Sequence, residues 1–141
     1  MSDNLSDRQR YEQGMAVRRA VLGDDYVERA IAGAPEFTES FQDFLTRTAW
    51  GDIWSRPGLD RQARSMITLT ALLALGHYEE LAAHVRGALR NGMTREEIGE
   101  TFLHAAVYAG VPAANSAFAT AQRVFADVDA EISGVDEEPG A

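Results

Sequence analysis

Hydrophobic residues recur every three or four positions along most of this chain, and no segment alternates with a period of two. The first spacing is typical of amphipathic α-helices, whereas the second would indicate β-strands. The sequence therefore predicts an all-α fold with six to seven helices. The predicted helices cover residues 6–22, 24–32, 35–48, 64–75, 77–90, 94–109 and 112–128.

The connections between these helices are short, with one exception. Residues 50–59 form the one long connection, and they end in a turn before Asp60, which is expected to cap the helix 64–75. The length of the chain suits one helical domain at 1–128. Residues 129–141 are acidic and contain glycine and proline, so they are predicted to form a flexible tail.

Several predicted helices carry apolar residues on more than one face. Phe37, Phe41 and Phe44 repeat at helical spacing and are predicted to lie in the core. Residues 66–75 and 113–125 are apolar nearly all round. In so small a domain such helices usually pack against a second subunit, so the sequence predicts a homo-oligomer.

The composition limits both the partners and the chemistry. A formal net charge of −9 argues against binding to nucleic acid or to an anionic membrane. The chain starts with polar residues and its longest apolar run, 66–75, is too short to cross a bilayer, so a cytoplasmic location is expected. There is no cysteine, and all 13 basic residues are arginine, which excludes thiolate and lysine Schiff-base chemistry. Histidine, carboxylate, hydroxyl and arginine side chains remain.

Glu80 and His84 give the strongest chemical signal. At ~100° per residue they lie about 40° apart on the helix 77–90, on the border of its apolar stripe. The stripe consists of Leu81, Val85, Ala88 and Leu89, and the opposite, charged face consists of Glu79, Arg86 and Arg90. A carboxylate and an imidazole in this position suit proton transfer. The alternative is a pair that only stabilises the helix through its i,i+4 spacing.

Four segments resemble the 4-carboxymuconolactone decarboxylase family. They are RRAVLG at 18–23, WGDIWSRPGLD at 50–60, LGHYEELAAH at 75–84 and YAGVPAAN at 108–115. The resemblance implies an all-helical homo-oligomer, a hexamer or trimer, that decarboxylates a small carboxylated lactone without a cofactor or a metal. Related alkylhydroperoxidase-like proteins use two cysteines where this chain has His77 and Glu80, so peroxidase chemistry is excluded.

The implied reaction converts 4-carboxymuconolactone into 3-oxoadipate enol-lactone in the protocatechuate branch of aromatic catabolism. When CO2 leaves the γ carbon, the electrons move through the unsaturated ring onto the lactone carbonyl, and the α carbon is then protonated. Because the substrate is its own electron sink, no cofactor is required. By resemblance, His84 is the proton donor, and Glu80 orients it and favours its charged form.

The remaining implied residues bind the substrate. Arg64, or Arg56 in its place, would hold the carboxylate that is retained, and Trp54 would shield the site from water. His104 and Tyr108 would donate hydrogen bonds to the lactone carbonyl. Each has an alternative: an ion pair for the arginines, a core or subunit contact for Trp54, and exposure or a subunit contact for His104 and Tyr108. For the whole protein, the alternatives are an enzyme of the same fold acting on another lactone or a β-keto acid, and a non-catalytic oligomeric ligand-binding module.

Overall fold

The computed structural model of the chain describes residues 5–33 and 36–136. Within these residues there are seven α-helices, one π-helix and no β-strand, which confirms the all-α prediction. The α-helices are α1 (Asp7–Leu22), α2 (Asp24–Ala32), α3 (Glu36–Leu45), α4 (Arg61–Leu75), α5 (Tyr78–Arg90), α6 (Arg95–Ala109) and α7 (Val111–Asp136). The π-helix, Thr46–Trp54, follows α3 directly.

Local capping chemistry sets the ends of the helices around the candidate site. The Asp60 side chain accepts a hydrogen bond from the backbone N–H of Ala63 at 2.8 Å and so starts α4. Gly76 ends α4 in the left-handed conformation, with φ at 75°, which a residue with a Cβ atom adopts at a cost. Thr94 and Glu97 form a reciprocal capping box at the start of α6.

Two hydrophobic clusters meet at helix α5. The larger cluster joins α4, α5, α6 and α7 and includes the fully buried Leu69 and Phe102. The smaller cluster joins α1, α2 and the π-helix to Ala83 of α5, with Val21 and Trp50 among its members. Helix α5 thus packs against one cluster on each side, and both clusters fix its position in the fold.

Helix α1 and the π-helix pack backbone against backbone. A Cβ atom on Gly14 would lie 2.0 Å from the carbonyl oxygen of Thr46, and one on Gly51 would lie 2.5 Å from the carbonyl oxygen of Arg10. Both distances are well below van der Waals contact, so only glycine fits at either position. This close approach lets the side chains that flank Gly14 reach across to the π-helix.

The phenylalanine stripe of α3 lies on the surface, so the prediction that it forms core was wrong. Phe37, Phe41 and Phe44 are 93%, 61% and 55% exposed. Helix α3 packs mainly against the π-helix that continues it, and Gln42, not an aromatic residue, reaches α1, where it accepts a hydrogen bond from Arg18. Helical spacing identifies an apolar face but does not say which surface covers it.

The connection predicted at 50–59 is helical as far as Trp54, because the π-helix continues α3. Only residues 55–60 form a turn before α4 begins. A π-helix is rare and has no simple sequence signature, so the hydrophobic period of 3.6 residues does not predict it. Residue 35, the predicted start of the preceding helix, lies outside the described residues.

The last helix is longer than predicted and ends at Asp136, not near residue 128. Residues 129–136 are therefore helical, whereas 137–141 lie outside the described residues. Two ion pairs connect this extension to neighbouring helices. The pair Arg86–Glu131, at 2.8 Å, joins α7 to α5, and the pair Arg95–Asp129, at 2.6 Å, joins it to α6.

The predicted charged face of α5 is also not a free solvent face. Arg86 binds Glu131 of α7 with two hydrogen bonds, and Arg90 donates to the carbonyl oxygens of Val21 and Leu22 at the end of α1. These arginines therefore fasten α5 to its neighbours while His84 lies on a different side of the same helix.

Candidate active site

His84 lies on α5 beside both tryptophans of the π-helix. Its ring centroid is 6.0 Å from that of Trp50 and 6.2 Å from that of Trp54, and the ring planes deviate from parallel by 5° and 21°. The two indoles stack on each other with their centroids 5.0 Å apart. We call these three residues the aromatic cluster.

Trp50 and Trp54 point the same way because they are four residues apart. The i→i+5 hydrogen bonds of the π-helix require more residues per turn than an α-helix, so residues four apart lie just short of one full turn. Trp50 is buried, with 6% of its surface exposed, whereas Trp54 is half-buried. Trp50 is therefore a core residue, whereas Trp54 is partly exposed to solvent.

The surroundings of His84 favour its neutral form. Its Nδ1 atom is buried and has no hydrogen-bond partner among the described residues. Burial lowers the pKa of His84 from its ordinary value of 6.5 to about 4, and the nearby Glu80 carboxylate, which acts to raise this pKa, offsets only part of the effect. In the free protein Glu80 therefore does not charge His84 as the sequence led us to expect.

Glu80 is exposed in the first turn of α5, where the helix dipole favours a carboxylate. Within the described residues no hydrogen bond joins it to His84, so it acts on the imidazole through its charge. The stacked tryptophans are the ring contacts of His84 in this structure. The orienting role of Glu80 stays a prediction.

Arg64 lies against the turn that follows the π-helix. Its Nη2 atom donates to the carbonyl oxygen of Arg56 at 3.0 Å, and its buried Nε atom has no partner among the described residues. Arg56 and Arg61 are exposed. The ion pairs found in the described part of the chain include none of these three arginines. The turn before α4 and the first turn of α4 therefore carry three arginines that those pairs leave unneutralised.

His104 and Tyr108 form a separate pair on α6. Their ring centroids are 5.5 Å apart and both side chains are exposed. His104 lines an apolar groove of about 1100 Å³ between α4 and α6, together with residues such as Ile67 and Val107. No hydrogen bond or ring contact within the described residues joins this pair to His84. The structure thus brings Trp54, Glu80 and His84 together but leaves His104 and Tyr108 apart from them.

Arg18 is a polar residue that the sequence had not suggested as functional. Only 4% of it is exposed, and its Nη1 and Nη2 atoms donate to Thr46 Oγ1 at 3.3 Å and Gln42 Oε1 at 3.0 Å. Its Nε atom has no partner among the described residues. A signal was present in the sequence: Arg18 lies four residues after Gly14, on the same face of α1.

The described residues contain no group of three or more His, Asp or Glu side chains placed to hold a metal ion. Among the helices at 5–33 and 36–136, none is long and apolar enough to span a membrane.

Comparison with known proteins gives consistent matches over most of the chain. The sequence model of the carboxymuconolactone decarboxylase family matches residues 39–123, a range that includes the aromatic cluster and Glu80. The 4-carboxymuconolactone decarboxylase of Acinetobacter baylyi is 47% identical over 124 residues, which cover 88% of this chain and 92% of that protein.

Two further relatives are also named as decarboxylases, one of them for a different substrate. Nitrosuccinic acid decarboxylase of Metarhizium robertsii is 44% identical over 130 residues, covering 90% of this chain and 91% of that protein. A 4-carboxymuconolactone decarboxylase from Pseudomonas putida is 48% identical over 48 residues, which are 34% of this chain and the whole of that sequence. Each named activity removes a carboxyl group.

Proposed function

This chain belongs to the carboxymuconolactone decarboxylase family, and from that premise we propose that it removes CO2 from 4-carboxymuconolactone. The product is 3-oxoadipate enol-lactone, in the protocatechuate branch of aromatic catabolism. The protein is accordingly a carboxy-lyase that acts on a small molecule. The Acinetobacter relative, which aligns with nearly the whole chain, bears the name of this activity.

The reaction sets clear physical requirements. Loss of CO2 leaves an electron pair that the unsaturated lactone takes up as an extended enolate, so negative charge spreads from a compact carboxylate over the ring. Water stabilises the compact charge more than the spread one, and a site that excludes water favours the reaction. The enolate then takes one proton at the α carbon, so each turnover consumes one proton.

One observation carries the proposal: the buried, unpartnered Nδ1 atom of His84 in the aromatic cluster. A buried nitrogen without a partner costs free energy that a bound ligand recovers. A substrate with two carboxylates brings negative charge next to the ring, and nearby negative charge raises the pKa of a histidine. In this proposal, binding of the substrate protonates His84, which then delivers the proton to the α carbon.

The neighbouring charged residues complete the proposed site. Glu80, exposed beside His84, favours uptake of the proton from solvent. Arg64 offers its unpartnered Nε atom to the retained carboxylate, with Arg56 as the second candidate. A charge-assisted hydrogen bond of this kind typically contributes ~1.5–3 kcal/mol. Trp54 covers the reacting carboxylate and keeps water away.

The Metarhizium relative supports a second candidate substrate class, the nitro-substituted dicarboxylic acids. In nitrosuccinic acid one carboxyl group is attached to the carbon that bears the nitro group. Loss of CO2 from that carbon gives a nitronate, so the nitro group takes the electron pair as the lactone carbonyl does. The same dry site, arginine and proton donor would serve both reactions.

We further propose that the protein works as a homo-oligomer, a hexamer or trimer. Two apolar surfaces support this: the exposed phenylalanines of α3 and the groove between α4 and α6. Exposed apolar surface on this scale usually marks a protein interface. His104 lines the second surface and Tyr108 lies beside it, so in this proposal they contact a neighbouring subunit, or complete its site, and they do not serve the His84 of their own chain. The net charge of −9 leaves nucleic acid and membranes as unsuitable partners.

Purified protein mixed separately with 4-carboxymuconolactone and with nitrosuccinic acid tests the proposal. We expect release of one CO2 per molecule of lactone, with 3-oxoadipate enol-lactone identified by proton NMR. Faster turnover of nitrosuccinic acid would assign the protein to the second substrate class. If neither compound is consumed, the proposed function is wrong and a non-catalytic ligand-binding role is favoured.

A further inference from the structure

One face of α1 contacts both ends of the π-helix. At the C-terminal end, Arg10 donates to both carboxylate oxygens of Asp52, at 2.9 and 2.5 Å. Gln13 donates from its side-chain amide to the carbonyl oxygen of Gly51 at 3.1 Å and to Ser55 Oγ at 2.7 Å.

At the N-terminal end, Arg18 donates to Thr46, the first residue of the π-helix, and to Gln42 of α3. Arg18 therefore bridges the point at which α-helical winding changes to π-helical winding. Burying a guanidinium group without a carboxylate partner is unfavourable, so this contact is not explained by stability alone.

The π-helix requires such external contacts. Helices of this type are mostly single-turn bulges, whereas this one covers nine residues, Thr46–Trp54. Its natural competitor is a continuation of α3 as an α-helix. That change would alter the rotation per residue, so Trp50 and Trp54 would stay on one face of the helix but that face would turn away from His84.

Gly14 makes the contact between the two helices possible. It lies between Gln13 and Arg18 on α1, and its missing side chain allows the carbonyl oxygen of Thr46 to approach. The π-helix that carries both tryptophans is therefore in contact with one face of a helix that contains no residue of the proposed site.

We propose that Arg10, Gln13 and Arg18 are positioning residues for His84, because they hold the π-helix in the winding that places Trp50 and Trp54 against the imidazole. The catalytic meaning of this inference rests on the proposed function. Its structural part concerns the free protein and is tested without substrate.

The main test compares Gly14→Ala with Gly99→Ala. The two variants add the same methyl group to a helix, but at Gly99 the nearest atom, in Phe118, is 3.9 Å from the added Cβ atom, an ordinary contact. NMR titration of the three histidines in each folded protein reports the pKa of His84 directly. We expect the pKa of His84 to rise from about 4 towards 6.5 in Gly14→Ala, since water then reaches the ring, and to be unchanged in Gly99→Ala.

A milder pair keeps the inference testable if Gly14→Ala does not fold. Gln13→Ala removes two hydrogen bonds from an exposed residue, and Glu12→Ala, one position away, removes only the contact with Arg8. We expect a smaller rise in the pKa of His84 for Gln13→Ala and none for Glu12→Ala. With substrate, Gly14→Ala should reduce kcat by about 10²-fold with little change in KM, as a misplaced catalytic group does.

A His84 titration in Gln13→Ala or folded Gly14→Ala that matches the unmodified protein would overturn the inference. A titration of His84 near 6.5 in the unmodified protein would do the same. If the pKa shifts occur but the protein consumes neither substrate, the positioning of His84 stands and the proposed function fails.

Discussion

Near neutral pH, a histidine covered by two indoles gains a proton only when something beside it is negatively charged. In the free protein Glu80 supplies that charge from an exposed position, and burial outweighs it. The substrate of the proposed reaction is an anion and therefore creates the acid that it needs. This arrangement avoids a permanently charged group in the dry part of the site.

Replacement of His84 tests its role most directly. We expect His84→Asn to reduce turnover by roughly 10²–10⁴-fold, the usual contribution of a general acid. His77→Asn, the same substitution at an exposed position before α5, is the matched control and should retain activity. Stopped assays with product identification measure the effect. Near-normal rate and product in a folded His84→Asn protein would contradict the assignment.

The depressed pKa of His84 also predicts a pH dependence of stability. Below pH 6.5 the unfolded chain binds a proton at this residue while the folded chain does not. The free energy of unfolding therefore decreases as the pH falls. The resulting loss of stability develops between pH 6.5 and about 4 and reaches at most about 3 kcal/mol.

Urea titrations of the unmodified protein and His84→Asn at several pH values isolate this contribution. The difference between their free energies of unfolding should decrease as the pH falls through this window. A difference that does not change with pH would show that His84 is solvated in the folded protein.

Arg64→Gln tests the binding of the retained carboxylate. We expect KM to rise by about 10- to 100-fold, because a charge-assisted contact is lost, while kcat changes less. Arg61→Gln, in the same turn but exposed, serves as the control. Steady-state kinetics measure both. An unchanged KM in Arg64→Gln would transfer the role to Arg56.

At the scale of elements, the turn and cap before α4 connect the π-helix to the arginines. Asp60 caps α4 immediately before the turn that carries Arg61 and Arg64. The cap at the start of α4 therefore also positions the arginine side chains of its first turn. Helix α1 acts in a similar way in our proposal, because its contacts with the π-helix position the tryptophan side chains.

Removal of two caps separates stability from binding. Asp60→Ala and Thr94→Ala should each lower the free energy of unfolding by ~1 kcal/mol, since each cap satisfies a backbone N–H group. Only Asp60→Ala should also raise KM, because it loosens the first turn of α4. Thermal denaturation and steady-state kinetics measure the two effects. Equal KM values would show that the cap does not position Arg64.

The sequence predicted those elements that obey local rules. The capping box of Thr94 and Glu97, the cap at Asp60 and the stop at Gly76 each depend on residues within a few positions. The π-helix depends on contacts with α1 that are distant in the sequence, such as that between Arg18 and Thr46, which are 28 positions apart. The same limit applies to the site: Glu80 and His84 share one helix, but the stacking of Trp50 and Trp54 on His84 requires the fold.

At the scale of the whole molecule, apolar surface is distributed unevenly. Exposed phenylalanines cover one side of α3, and the groove between α4 and α6 opens elsewhere. The helices α4, α5, α6 and α7 already share a filled core. Both surfaces are therefore left over after the single chain has packed, which is the situation from which subunit interfaces arise.

Sedimentation should give a mass several times the 15.4 kDa of one chain. Phe41→Ser should lower that mass because it places a hydroxyl in the α3 stripe, whereas Ile132→Ser, a comparably exposed position on α7, should not. A stable monomer at micromolar concentration would contradict the proposed assembly. An assembly unaffected by Phe41→Ser would place the interface at the α4–α6 groove.

The chain contains two tryptophans, and both belong to the aromatic cluster. Light absorbed by indole is therefore emitted from the candidate site and from nowhere else in the protein. A protonated imidazole quenches indole emission more strongly than a neutral one. The molecule thus carries an intrinsic optical probe of the charge on His84, and ligand binding can be followed by fluorescence without an added label.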